Sequence, residues 1–118
     1  MRNYRELVVW QKAMVLAEVI YRSVKKLPRE EMYSLGDQMR RAAVSVPSNI
    51  AEGQARNSTK EFVQFLSIAR GSVAELETQL TLCERFAYLS REESNEVLGL
   101  CEEISKMLTA LISTLSTK

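Results

Sequence analysis

A chain of 118 residues, 46% hydrophobic and 26% charged, has the size and make-up of one globular domain spanning residues 1–118. Four glycines and two prolines are too few turn residues for a many-stranded β fold. Histidine is missing, so the commonest general base and metal ligand plays no part.

Net charge is +1, but it is unevenly placed. Residues 1–60 hold 11 Lys/Arg against 6 Asp/Glu, net +5, and residues 61–118 hold 5 against 9, net −4. Two readings fit: complementary halves of one bundle, or a basic face that meets phosphate. No run approaches the roughly 20 apolar residues that a membrane span needs. The apolar stretch from Leu7 to Ile20 is broken by Gln11, Lys12 and Glu18, which does not read as a signal peptide. A cytoplasmic location without membrane contact is expected, with Cys83 and Cys101 as buried, reduced thiols.

After a polar lead-in, Met1–Glu6, a helical period begins at Leu7. Val9, Ala13, Leu16, Ile20, Val24 and Leu27 recur at steps of three and four. Trp10, Met14, Ala17 and Tyr21 form a second stripe beside them. Together they make an apolar arc wider than one bundle seam requires. Either Trp10 and Tyr21 cover the core edge, or Trp10, Met14 and Tyr21 meet another subunit. Pro28 biases Leu27 out of the helical region, which places the first stop near Leu27.

Ser34 is the expected N-cap of a second helix from Leu35 to about Gly53, with Asp37 in its first turn. Its apolar face is Leu35, Met39, Ala42 or Ala43, Val46 and Ile50. Pro47 falls inside this pattern, where it lacks an amide donor and presses on the Ala43 carbonyl. The helix either kinks at Pro47 and continues, or restarts with Pro47 in its first turn. The period survives the proline and Val46 is a poor cap, so a continuous, kinked helix is expected. Ser48 and Asn49 are placed to re-satisfy nearby backbone, and Gly53 fits a C-terminal cap.

Ser58 and Glu61 have capping-box spacing. Behind them Phe62, Leu66, Ala69, Val73, Leu76, Leu80, Cys83 and Ala87 alternate steps of four and three, a heptad seam. Ser90 and Glu93 form a second capping box before Val97, Cys101, Ile104, Leu108, Leu111 and Leu115. The result is an all-α, antiparallel, up-down-up-down four-helix bundle whose second helix is kinked at Pro47.

No P-loop, dinucleotide fingerprint, paired-cysteine metal motif or nucleophile elbow is present. No enzyme activity, cofactor, metal or small-molecule substrate is expected. Arg40 and Arg41, with Arg56 and Lys60 beyond the second helix, are read as one basic cluster that could meet phosphate. The rival reading makes these arginines structural and the protein a protein-binding scaffold.

Two stretches carry a family resemblance. Leu7-Val8-Val9-Trp10-Gln11-Lys12-Ala13 and the run Gln38 to Gly53 resemble the four-helix-bundle proteins encoded in intervening sequences of bacterial large-subunit ribosomal RNA, also labelled S23 ribosomal proteins. The longer run holds Pro47, Ser48, Asn49, Glu52 and Gly53, the structural signature. The resemblance implies a homopentamer with no enzymatic activity. It also implies a possible RNA or ribonucleoprotein partner, or a nucleic-acid-processing protein. A related branch, the accessory variability proteins of diversity-generating retroelements, forms a strongly basic pentameric barrel that binds a reverse transcriptase and nucleic acid. A net charge of +1 departs from that branch.

Overall fold

The computed structural model describes residues 3–117. Met1 and Arg2 of the lead-in, and Lys118 of the polar end, lie outside the described residues. Among the described residues there are four long helices and no strand: α1 (Val8–Val24), α2 (Leu35–Gln54), α3 (Thr59–Arg85) and α4 (Arg91–Ser116). Two short 3-10 turns, Tyr4–Glu6 and Arg29–Glu31, precede α1 and α2.

The α1 seam is buried from Val9 through Val24. The helix ends three residues before Leu27. There the Lys26 and Leu27 amides turn back to the Ser23 and Val24 carbonyls, tightening the last turn ahead of Pro28. Leu27 still reaches the core.

Helix α2 passes through Pro47 without a break, and Pro47 is buried. Met39, Ala42, Ala43, Val46 and Ile50 supply its core face. Two cap assignments change. Ser34 stands at the N-cap position, but its hydroxyl donates to a Glu31 carboxylate oxygen at 2.7 Å and does not cap the helix. Gly53 is not a cap but a buried residue inside α2. A β-carbon there would lie 2.6 Å from Phe65 Cβ and 3.0 Å from Phe62 Cδ1. Glycine is required because α3 approaches too closely for any side chain.

Ser58 accepts from the Glu61 amide at 3.2 Å, so the forward half of that capping box forms. The Ser90 box forms in both directions, at 3.1 Å to the Glu93 amide and 2.9 Å from the Ser90 amide to Glu93 Oε1. The α3 seam is buried from Leu66 to Cys83, but Ala87 is exposed, beyond the helix end. Its φ of 62° is left-handed, and the Tyr88 amide reaches back to the Cys83 carbonyl at 2.8 Å. Ala87 thus holds the position that glycine normally takes in a Schellman turn, and it leaves the seam because the chain reverses there.

Helix α1 packs on α2 and α4, and α3 packs on the same two. Across the α3–α4 and α2–α3 contacts, rising numbers on one helix meet falling numbers on the other. On α3–α4, Leu80 meets Ser94 and Arg70 meets Thr109. On α2–α3, Met39 meets Cys83 and Ser45 meets Ser72. The four-helix unit measures 46 × 22 × 20 Å, with one buried apolar core along its axis.

Candidate functional site

With the seam of α1 turned inward, its second stripe lies at the groove between α1 and α2. Trp10 is half-buried, while Met14 and Tyr21 are 39% and 45% exposed. Across the groove, α2 contributes Val44, 44% exposed. Tyr4 closes one end, its ring set edge-on to Trp10 with centroids 5.3 Å apart. A recess of about 340 Å³ opens among Tyr4, Trp10, Met14, Val44, Pro47 and Ser48. Its lining is almost wholly apolar, so it suits an apolar side chain better than a charged ligand. Here Pro47 has a second place in the structure: its ring forms part of this recess.

One step along the groove lies a second recess of about 390 Å³, lined by Tyr21, Asp37, Arg40, Arg41, Val44 and Ser45. Val44 lines both. Arg40 donates to the Met32 carbonyl at 2.8 Å and lies 3.8 Å from Asp37. Arg41 donates to the other Asp37 oxygen at 3.1 Å, and its side chain is 80% exposed. One carboxylate therefore serves two guanidinium groups, leaving the recess net positive.

Arg56 and Lys60 are not beside them. Arg41 and Arg56 are separated by the body of α2, roughly 22 Å at 1.5 Å per residue. Arg56 donates to Glu52 at 2.8 Å and lies over the Phe65 ring at 5.0 Å. Lys60 is exposed beside the C-terminal part of α4, near Leu115. The expected basic cluster is thus two separate sites because one helix holds its halves apart. Asn49 donates to the Ser45 carbonyl at 2.8 Å rather than to that of Ala43, and also to Ser45 Oγ at 2.9 Å. Ser45 Oγ lies 2.8 Å from Ser72 Oγ, a polar link between α2 and α3. Ser48 is exposed at the rim of the apolar recess.

The far end of the bundle carries two more links. Tyr88 donates to Glu31 at 2.8 Å, and Lys26 pairs with Glu93. The bond from Lys26, with those from Ser90, holds the Glu93 carboxyl down at about 2. Bonds from Ser34 and Tyr88 lower Glu31. Burial pushes the Cys83 thiol up to about 11 and Cys101 up to about 12, so neither is an activated nucleophile. Both cysteines are free. Among the described residues, no group of three or more Cys, Asp or Glu side chains could hold a metal ion. No helix there is long and apolar enough to cross a membrane.

Of the residues lining this groove, Trp10, Met14 and Tyr21 stand out in the sequence as a second apolar stripe, and Tyr4 and Val44 do not. Val44 was discoverable as an apolar residue left over once the α2 seam is removed. Tyr4 was not, because a 3-10 turn carries no period that aims it at Trp10.

The geometry can be set beside known proteins. The family model for the 23S rRNA-intervening sequence protein matches residues 5–110. A crystal structure of a protein of unknown function from the S23 ribosomal protein family of Bacteroides thetaiotaomicron is similar, with a TM-score of 0.84 and 29% identity. The match covers 89% of this chain and 98% of that one. Comparison with curated proteins gives no match. The matched span takes in all of α1, α2 and α3 and most of α4, and the chain belongs to the 23S rRNA-intervening sequence protein family.

Proposed function

We propose that the protein is a non-enzymatic, self-associating helical scaffold whose α1–α2 face is an assembly surface. One observation carries this reading: Met14 and Val44 stay exposed beside the half-buried Trp10, and Val44 joins that recess to the one that Tyr21 lines, so exposed apolar side chains run along one groove. Scattered exposed apolar residues are ordinary, but a groove rimmed by them with an aromatic at its base marks a contact site. A closed ring of like subunits would give that face a partner, and the family resemblance suggests five. The thiols raised by burial and the absence of histidine support a role without catalysis.

A second reading, an RNA- or ribonucleoprotein-associated accessory factor in the cytoplasm, draws on Arg41 and Lys60, whose side chains stay exposed. Against it, Arg40 and Arg56 are bonded within the chain. Light scattering at micromolar concentration tests the first reading: an assembly supports it and a monomer contradicts it. Filter binding to RNA tests the second. Binding that falls steeply with salt supports it, and no binding at low salt removes it.

A further inference from the structure

The groove between α1 and α2 has two recesses of different chemistry at a fixed separation. Pro47, in the apolar recess, and Arg40, in the basic one, are seven residues apart on α2, or roughly 10 Å along its axis. A helical partner lying along the groove would match it with a large apolar residue and a carboxylate two turns apart, at positions i and i+7.

The outer face of α3 carries that pattern. Glu75 is exposed, and an apolar side chain lies seven residues away on each side: Ile68, 52% exposed, and Leu82, 37% exposed. Between Ile68 and Glu75 sits Gly71, with nothing within 4 Å of where a β-carbon would stand. That leaves room for another helix to approach closely. The charge balance agrees, since residues 1–60 carry +5 and residues 61–118 carry −4.

We propose that the occupant of the α1–α2 groove is the outer face of α3 from a second copy of this chain. Glu75 of the incoming copy enters the Arg40–Arg41 recess, and Ile68 or Leu82 fills the recess beside Trp10. The contact uses two different faces of each molecule, so every subunit offers a groove on one side and an α3 face on the other. Such head-to-tail contacts build rings or filaments rather than isologous pairs. This inference rests on the reading that the protein self-associates and adds which surfaces meet.

The test uses the full chain, sedimentation velocity and circular dichroism. Arg41→Glu and Glu75→Arg are each expected to weaken assembly by about tenfold or more, and the double variant to restore most of it. Gly71→Lys should abolish assembly while leaving helicity and Tm no lower, because its side chain meets nothing within the subunit. Wild-type protein that assembles, with all these variants assembling equally well, would overturn the α3 pairing while leaving self-association standing. Wild-type protein that stays monomeric at tens of micromolar would overturn both, whether or not it binds RNA. Rescue by the double variant is the outcome that only direct pairing of Arg41 with Glu75 produces.

Discussion

The two long contacts made by α3 are built in opposite ways. Against α4 it is held by side chains that are present: the apolar seams of the two helices, the Ser94 hydroxyl on the Leu80 carbonyl, and Arg70 on Thr109. Against α2 it shares a core with Met39, Val46 and Ile50, but at two points the fit depends on side chains that are small or missing. Gly53 lets the Phe62–Phe65 turn close in, and Ser45 meets Ser72 where larger residues would hold the helices apart. The first contact tolerates conservative exchange because its seam is filled by bulk. The second depends on shape at Gly53, because an atom added there must move a neighbour.

Gly53→Ala should show this most sharply. The added methyl must displace Phe65 or shift α3, a cost of about 1–3 kcal/mol at the upper end of that range, seen as a lower denaturant midpoint with the slope unchanged. Gly71→Ala is the control on the other side of the same helix. With nothing to meet, it should stabilise the subunit by about 0.5–1 kcal/mol. Equal effects from the two would erase the distinction between the faces.

The caps come next. Ser90→Ala should cost about 0.5–2 kcal/mol, and more than Ser58→Ala, whose box is half formed. Ala87→Gly should act in reverse, stabilising by about 0.5–1 kcal/mol as the left-handed penalty is relieved. A destabilised Ala87→Gly variant in thermal unfolding would contradict the account of that turn.

The smallest effect is that of pH. Glu93 titrates near 2 when folded, against an ordinary value of 4.5. A carboxyl lowered on folding contributes stability that is fully present above 4.5 and is lost as pH falls toward 2. Acid titration of stability should therefore lose part of its slope in this window in Lys26→Met. The same slope in variant and parent would show that the Lys26–Glu93 pair does not set it.

The hairpin was legible from sequence because local signals and tertiary role coincide there. Steps of four and three name the buried seams from Leu66 to Cys83 on α3 and from Val97 to Leu108 on α4, while Phe62, Leu111 and Leu115 at the seam ends are half-buried, and Ser58 and Ser90 name where each helix begins. The α2 helix was legible only in part. Its period showed that it continues through Pro47, but Gly53 reads as a stop from the chain alone. Only Phe62 and Phe65, on another helix, make it a crossing point. Ser34 reads as a cap until Glu31 takes its hydroxyl. Ala87 fits the seam by number, yet it falls where the chain turns. The arginines show the same limit for the site. Charge is visible in sequence, but the length of α2 decides that Arg41 and Arg56 cannot meet, and Asp37 and Glu52 decide how much of their charge stays exposed.

The groove between α1 and α2 bears on function, and one residue reports on it directly. Val44 lines both recesses and sits outside the core. The measurement is the mass of the Val44→Glu variant beside the parent, by light scattering at tens of micromolar with helicity checked in parallel. The expected result is a parent larger than one subunit and a variant that falls to monomer while remaining fully helical. A parent already monomeric, or a Val44→Glu variant with the parent's mass, would contradict it.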